Sequence, residues 1–250
     1  MKKMMAANWK MHKTRAEARE SAATLIASLG SMPEDREVVI FAPYTVLSDC
    51  AQEFAGKKNF SLGGQNVYSA DHGAFTGEIS PAMLRDAGCA HVLTGHSERR
   101  ALFHESSEFI GKKTAFALAE GLKVTLCIGE TLAERESGAL ESVLREQLMK
   151  GLAELGDTAP ENDLAIAYEP VWAIGTGKVA GPAEILETHA IVRKLLVERF
   201  PKQGKNIRIL YGGSVKADNA PEIITLDNVD GVLVGGASLD AASMRRIVLA

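Results

Sequence analysis

The sequence predicts an α/β protein: a closed eight-stranded parallel (β/α)8 barrel that forms a single domain over residues 1–250. Two observations carry this prediction. Short apolar runs alternate with longer segments of helical periodicity, which is typical of a parallel sheet with crossover helices. About eight such units in about 250 residues also match the usual length of this barrel. No proline-rich or serine-rich linker divides the chain.

The predicted strands are short aliphatic runs that recur along the whole chain: Met4–Ala7, Val38–Ala42, Phe60–Gly63, His91–Thr94, Val124–Ile128, Leu164–Tyr168, Ile207–Tyr211 and Gly231–Val234. Between them, Arg15–Leu29 and Gly181–Phe200 carry apolar residues at helical spacing, and Pro182 opens the second segment. A doubly wound open sheet is the alternative. The dinucleotide fingerprint of that fold, G-x-G-x-x-G, does not follow the first run, so the barrel is favoured.

Composition and charge exclude several classes of function. The formal net charge is -4, which gives no electrostatic support for binding nucleic acid or a membrane surface. Three widely spaced cysteines fit a reducing compartment better than a disulfide framework. No run reaches the length of a membrane span or a signal peptide. We therefore expect a cytoplasmic protein.

Polar side chains follow several of the predicted strands at the point where each strand ends. Asn8 and Lys10 follow the first run, His96 the fourth and Glu169 the sixth. In a (β/α)8 barrel, catalytic groups lie at this rim. Taken singly, Lys10 could be a solvated surface charge and His96 a structural histidine. Glu169 is harder to explain in that way, because a buried carboxylate without a partner is costly.

Two glycine clusters follow the seventh and eighth runs. They are Gly212–Ser214 and Gly235–Ser238, and each precedes a predicted helix start. Such clusters can be simple turns, but they also offer backbone N–H groups to an anion such as phosphate. Because both lie at the rim predicted for the polar residues, we expect a phosphate site there.

Sequence patterns for cofactors and metals are not found. Gly177-Lys178 resembles the end of a Walker A loop, but Val179 stands where serine or threonine is required. The six histidines show no metal-binding spacing such as H-E-x-x-H. The sequence therefore predicts a reaction that uses no cofactor and no metal.

Six segments, in the same order and spread over the whole chain, resemble the triosephosphate isomerase family, a family of TIM barrels. They are NWKM at Asn8–Met11, GHSERR at Gly95–Arg100, CIGE at Cys127–Glu130, AYEPVWAIGTGK at Ala167–Lys178, YGGSVK at Tyr211–Lys216 and DGVLVGGASL at Asp230–Leu239. The resemblance implies interconversion of dihydroxyacetone phosphate and D-glyceraldehyde 3-phosphate through an enediolate, a step of glycolysis and gluconeogenesis.

The resemblance also implies a role for each matching residue. Glu169 would be the catalytic base, and we expect screening from water to make it more basic. His96 would polarise the carbonyl as a neutral imidazole, because a helix start disfavours the imidazolium. Lys10 would supply positive charge and Asn8 a supporting hydrogen bond. Glu98 resembles a buried carboxylate beside the lysine.

By the same resemblance, the segment after Glu169 would be a lid. Pro170 and Trp172 would form its hinge and Gly175–Gly177 its tip, which closes over the substrate and excludes water. The substrate phosphate would be held by the backbone N–H groups of Gly175, Ser214, Gly235 and Gly236.

The loop Gln65–Ile79 carries a further implication of the resemblance, a homodimer. Its tip, with Phe75 and Thr76, would reach the neighbouring subunit near Met11. The alternative is a mobile surface loop. His12 stands where the family usually has asparagine, which affects the expected interface more than catalysis.

Two other interpretations remain. A different phosphate-handling barrel, such as a ribulose-phosphate epimerase or an indole-glycerol-phosphate synthase, would explain the glycine clusters but not Lys10, His96 and Glu169 together. An inactive barrel kept as a binding or scaffold protein would have no physical reason to retain a costly buried carboxylate.

Overall fold

A computed structural model of the chain describes residues 1–30, 32–174 and 178–250. Eight parallel strands pair in sequence order, and the last pairs with the first, so the sheet closes into a barrel. This confirms the predicted fold class. The strands are β1 (Lys3–Asn8), β2 (Arg36–Ala42), β3 (Phe60–Gly64), β4 (His91–Thr94), β5 (Lys123–Ile128), β6 (Leu164–Tyr168), β7 (Arg208–Tyr211) and β8 (Gly231–Val234).

Within the described residues, nine α-helices lie between the strands and a tenth follows the last one. They are α1 (Arg15–Leu29), α2 (Leu47–Phe54), α3 (Pro81–Asp86), α4 (Ser97–Phe103), α5 (Ser107–Ala119), α6 (Leu132–Glu136), α7 (Leu140–Gly151), α8 (Pro182–Arg199), α9 (Ala220–Ile224) and α10 (Ala241–Val248). Single 3₁₀ turns at Tyr44–Val46, Val171–Ala173 and Gly236–Leu239 lie in the connections. None of the helices in these residues is long and apolar enough to cross a membrane.

Alternating side chains divide the core into two layers. Along β1, Met4 and Ala6 pack with side chains of the other strands in the barrel interior, whereas Met5 and Ala7 pack beneath the surrounding helices. This is the period of two that a strand imposes. By the same alternation, the side chain of Asn8 at the end of β1 also belongs to the inward-facing set, at the rim.

The helix α1 shows why a predicted segment folds as it does. Ala18, Ala22, Leu25 and Leu29 form its buried face, in agreement with their spacing. At its start, the backbone N–H of Thr14 donates to Glu17 at 2.7 Å, which satisfies a donor that the helix leaves open. The predicted range of this helix is confirmed to the residue.

Small differences from the predicted strands occur at the strand ends. β1 extends to Lys3 and Asn8, and β2 begins at Arg36, because pairing continues past the apolar residues. Ile207 is buried, but it lies outside β7 and not within the strand as its apolar character predicts. An apolar pattern reports burial, and burial extends beyond the hydrogen-bonded ladder.

Candidate active site

A cavity of about 390 Å³ opens at the carboxyl ends of the strands. It brings together seven of the residues singled out in the sequence: Asn8, Lys10, His96, Glu169, Ser214, Gly235 and Gly236. These residues lie at or just after the ends of five different strands, so the closure of the barrel makes them neighbours. Gly175, the remaining expected phosphate ligand, lies outside the described residues.

Glu169 lies in this cavity and is 2% exposed. It follows β6, and its own N–H donates to Ile128 O at 2.7 Å, which extends the barrel pairing by one residue. Its side chain keeps the inward parity of Ala167. A Cβ at Gly129 would overlap with the main-chain carbonyl oxygen of Glu169, so close approach of the two strands at this point requires glycine.

Both oxygens of the Glu169 carboxylate are engaged. The backbone N–H of Ser97 donates to Oε2 at 2.9 Å, and Nε2 of His96 lies 2.9 Å from Oε1. Burial by itself would raise the pKa of Glu169, but His96, the Ser97 N–H and Lys10 outweigh burial and lower the pKa. The expectation of a more basic carboxylate is therefore wrong for this arrangement, because the donors come from other segments of the chain, at the start of α4 and after β1.

His96 caps the start of α4, as its sequence position predicts. The backbone N–H of Glu98 donates to Nδ1 at 3.3 Å, so the ring carries its proton on Nε2, toward Glu169. Burial would lower the pKa of His96, but the Glu169 carboxylate outweighs burial and raises it. The expected depression by the helix start is thus overcome while the carboxylate is in contact with the ring. The backbone N–H of Glu98, which donates to Nδ1, acts in the opposite direction and favours the neutral ring.

Lys10 leaves β1 in a left-handed conformation, with φ at 51°. Its N–H donates to Oδ1 of Asn8 at 2.9 Å, and its carbonyl accepts from Gln65 Nε2 at 2.8 Å. These two bonds hold a backbone that a residue with a side chain adopts only at a cost. The Lys10 ammonium lies 2.7 Å from Oε1 of Glu98.

The side chain of Glu98 departs from expectation in one respect. It lies beside Lys10, as the family resemblance implies, but it is 44% exposed and not buried. It faces a second cavity of about 430 Å³ that opens to solvent next to the first one. Its carboxylate therefore contributes less to the electrostatics of Lys10 than a desolvated one would.

The remaining cavity wall includes residues of both glycine clusters. Ser214, Gly235 and Gly236 line the cavity, and the 3₁₀ turn Gly236–Leu239 begins there. Within that turn the hydroxyl of Ser238 donates to Gly235 O at 2.7 Å. This arrangement of backbone groups at a turn suits an oxyanion such as phosphate.

The segment after Glu169 is anchored by a carboxylate to which the sequence alone assigned no role. Glu130 is fully buried and accepts from Nε1 of Trp172 at 2.7 Å and from the hydroxyl of Tyr168 at 3.0 Å. The hydrogen bond from Trp172 to the Glu130 carboxylate thus anchors the 3₁₀ turn Val171–Ala173. The expected tip of the lid, Gly175–Gly177, lies outside the described residues.

Sequence reasoning missed Ser97 and Glu130 as parts of this site. Both lie within motifs that carry the family resemblance, GHSERR and CIGE. Ser97 acts through its backbone, which residue type does not reveal. Glu130 follows an apolar strand, as Glu169 does, and that shared feature was the available signal.

Comparisons with known proteins agree with the geometry. The sequence model of the family described as triosephosphate isomerase matches residues 3–250. The chain is 62% identical to the triosephosphate isomerase of Nitratidesulfovibrio vulgaris (strain DSM 19637 / Miyazaki F), with 100% of both chains covered. It is 48% identical to that of Lawsonia intracellularis, over 99% of this chain and 98% of the relative. The crystal structure of triosephosphate isomerase from Bartonella henselae superimposes with a TM-score of 0.88 at 40% identity, covering 99% of this chain and 98% of that one. The chain therefore belongs to the triosephosphate isomerase family.

Proposed function

We propose that the chain carries out the reaction of its family with Glu169 as the base and His96 as the electrophile. In this reaction the enzyme interconverts dihydroxyacetone phosphate and D-glyceraldehyde 3-phosphate, a step of glycolysis and gluconeogenesis. A proton moves between neighbouring carbons through an enediolate. The observation that carries the proposal is the convergence of Glu169, His96 and Lys10 on one cavity.

Glu169 has to be released before it can act. Its two oxygens accept from Ser97 and His96, and a carboxylate held in this way is a weak base. A substrate carbonyl that takes over the Nε2–H of His96 removes one of these donors. The freed carboxylate then turns toward the carbon acid, and exclusion of water raises its basicity. The same contacts that lower its pKa in this arrangement therefore keep the base inactive until substrate binds.

His96 is arranged to donate a hydrogen bond without carrying a charge. Its Nδ1 accepts from the Glu98 N–H, so Nε2–H is its donor. A neutral donor matches the weak acidity of an enediol better than an imidazolium does, and it can pass a proton between the two substrate oxygens. The pairing of a glutamate base with a neutral histidine is the known one for this enzyme family.

Lys10 supplies positive charge for the dianionic substrate and for the developing oxyanion. Asn8 fixes the backbone of Lys10 and adds a polar group to the cavity. Glu98 steadies the ammonium at 2.7 Å. The phosphate is held by backbone N–H groups of Ser214, Gly235 and Gly236, and by Gly175 when the lid closes.

The reaction and its base are tested by proton NMR in D₂O after addition of dihydroxyacetone phosphate. We expect fast conversion to D-glyceraldehyde 3-phosphate, lost in Glu169→Gln. Glu169→Asp, which retracts the carboxylate by one methylene, slows turnover by at least about 100-fold. The matched control is Glu198→Gln, which alters an exposed carboxylate near the end of α8 and leaves turnover unchanged. Near-normal turnover in Glu169→Asp contradicts the assignment of the base. No conversion by the folded unmodified chain favours the scaffold interpretation.

We also propose a homodimer formed through the loop Gln65–Ile79. Met11 is 94% exposed, and it shares the second cavity with Gln65 and Phe103, so apolar side chains lie open around a recess. The tip residue Phe75 is also exposed. An apolar projection and an apolar recess on one chain suit a two-fold interface. A monomeric mass in analytical ultracentrifugation at micromolar concentration contradicts the dimer.

We also propose that the protein is cytoplasmic, because the state of its cysteines fits a reducing compartment. Cys50, Cys89 and Cys127 are all buried and free of disulfides. Free thiols of this kind are typical of a reducing compartment. Recovery of the protein in the periplasmic or secreted fraction of its native cells contradicts the proposal.

A further inference from the structure

The segment that carries Lys10 contains a second lysine, whose side chain contacts the 3₁₀ turn Gly236–Leu239. We call this turn the phosphate turn, because its first residue belongs to the proposed phosphate site. Lys13 follows three residues later and donates through Nζ to the carbonyl of Leu239 at 3.0 Å. Leu239 is the last residue of the 3₁₀ turn Gly236–Leu239, whose first residue lines the catalytic cavity. The ammonium therefore binds the end of the turn that lies away from the cavity.

The backbone at Lys13 is held in a conformation that favours glycine. Its φ is 78°, in the left-handed region, which is unfavourable for a residue with a side chain. The side chain present there is fully occupied: Nζ donates to the hydroxyl of Ser21 at 2.6 Å and lies 5.0 Å from the centre of the Trp9 ring. Contacts to α1, to Trp9 just after β1 and to the 3₁₀ turn Gly236–Leu239 thus converge on one ammonium.

Two lysines of one short loop thereby lie at both ends of the turn. At its beginning, a Cβ built on Gly235 would lie 3.5 Å from Cε of Lys10. At its end, Leu239 O accepts from Lys13. A single turn has few internal hydrogen bonds, and here Ser238 supplies them by donating to Gly235 O from both its N–H, at 2.9 Å, and its hydroxyl, at 2.7 Å. The hydrogen bond from Lys13 to the carbonyl of Leu239 fixes the last residue of the turn, which these bonds do not hold.

We propose that Lys13 is a positioning residue for the substrate phosphate. Its ammonium holds the carbonyl end of the turn, so that the N–H groups of Gly235 and Gly236 keep their direction toward the cavity. A cation at the carbonyl end of a helical turn is favourable, and an anion at the N–H end is favourable in the same sense. The inference rests on the phosphate site of the proposed function and adds a residue that does not touch the substrate.

Electrostatics at Lys13 are compatible with this role. Burial lowers the pKa of the Lys13 ammonium, while the carboxylates of Glu17 and Asp240 act in the opposite direction. Asp240 is itself engaged as the cap of α10, where it accepts from the N–H of Ser243 at 2.7 Å. The hydrogen bonds of the Lys13 ammonium go to neutral oxygens, the hydroxyl of Ser21 and the main-chain carbonyl of Leu239.

The test compares three variants of Lys13 with the unmodified enzyme. Lys13→Met removes the ammonium, Lys13→Arg keeps a cationic donor, and Lys13→Gly removes the side chain while relieving the left-handed backbone. The glycine variant keeps the test decisive if the methionine variant does not fold. The matched control is Lys3→Met, because Lys3 also donates to main-chain carbonyls, at 2.6 Å and 2.8 Å, but at the opposite end of the barrel.

Four quantities are measured for each protein: the inhibition constant of inorganic phosphate, KM and kcat for the triose phosphate, and kcat/KM for phosphate-free D-glyceraldehyde. In Lys13→Met and Lys13→Gly we expect the phosphate inhibition constant and KM to rise about three-fold, which corresponds to about 0.7 kcal/mol. Turnover of phosphate-free glyceraldehyde stays unchanged. Lys13→Arg restores phosphate binding, and Lys3→Met leaves it unaffected.

Two results overturn the inference alone. One is an unchanged phosphate inhibition constant in Lys13→Gly, which reduces Lys13 to a structural contact. The other is an equal loss with phosphate-free glyceraldehyde, which places its effect on Lys10 or on the whole fold. If inorganic phosphate does not compete with substrate in the unmodified enzyme, the phosphate site itself fails, and this inference fails with it.

Discussion

Removal of one buried ammonium is expected to destabilise the protein strongly. Lys113 of α5 is 1% exposed, and its Nζ contacts both oxygens of Glu105 at 2.7 Å and Oδ1 of Asn66 at 2.6 Å. We predict that Lys113→Met lowers the free energy of unfolding by about 3 kcal/mol, because it leaves the Glu105 carboxylate buried without its main partner.

The magnitude follows from what remains around Glu105. Breaking a buried ion pair from one side costs about 3–5 kcal/mol. The lower end applies here, because Nε of Arg99 still donates to Glu105 at 2.7 Å. Burial lowers the pKa of Lys113 in spite of the opposing effect of Glu105, so the desolvation of this ammonium outweighs its attraction to the carboxylate. Replacing both partners should therefore cost less than the two single changes together.

The assay is a double-mutant cycle by urea unfolding. It uses the unmodified protein, Lys113→Met, Glu105→Leu and the double variant at one fixed protein concentration, since assembly would otherwise shift the midpoints. We expect the double variant to recover at least about 1.5 kcal/mol relative to the sum of the single losses. Additive losses, within about 0.5 kcal/mol, would refute the reasoning, because they would mean that the two side chains act independently.

Two further predictions concern the rim and the buried histidines. Gly129→Ala should lower kcat/KM by at least about 100-fold in steady-state assays while circular dichroism stays unchanged, because the added Cβ displaces the main chain of Glu169; activity near that of the unmodified enzyme contradicts this. Burial lowers the pKa of His91 to about 3 and of His189 to about 4, so both stay neutral in the folded state while the unfolded chain takes up protons below pH 6.5. The free energy of unfolding therefore has its full value above pH 6.5 and falls by about 2 kcal/mol per histidine by pH 5. A free energy of unfolding that does not change between these pH values, measured with urea, contradicts the prediction.

The parts of the fold that follow from local pattern could be predicted from the sequence. The range of α1 is correct because its apolar residues keep helical spacing up to Leu29, and Ala18, Ala22, Leu25 and Leu29 are buried together. The strand positions are correct within about two residues, since each buried strand is a continuous aliphatic run. Their ends are less well defined, because the polar Lys3 and Asn8 pair within the ladder as readily as apolar residues do.

The positions of the catalytic candidates could be predicted for a related reason. A side chain that follows a barrel strand inherits the inward or outward parity of that strand, and strand ends meet at one rim. Asn8 and Glu169 both continue an inward-facing set. The sequence therefore indicated that Asn8, Lys10, His96 and Glu169 share one cavity, although Glu98 faces the neighbouring one.

The protonation behaviour of those residues could not be predicted in this way. The sequence predicts a more basic Glu169 because it is buried, and a depressed pKa for His96 because it begins a helix. Each expectation considers only the burial or the helix position of the residue itself, and not the side chains that other segments bring next to it. In the structure the two side chains meet across the barrel, and their contact at 2.9 Å outweighs both local effects. The pKa of each is a property of the pair.

If Glu169 is the base, as proposed, burial and catalysis make different demands on its carboxylate. A buried carboxylate needs donors, and Ser97 and His96 supply them, which removes the cost of burial. The same donors make the carboxylate a poor base. An enzyme can satisfy both demands only if substrate binding exchanges one set of contacts for another, so the stability of the resting site and the reactivity of the occupied one depend on different partners of the same side chain.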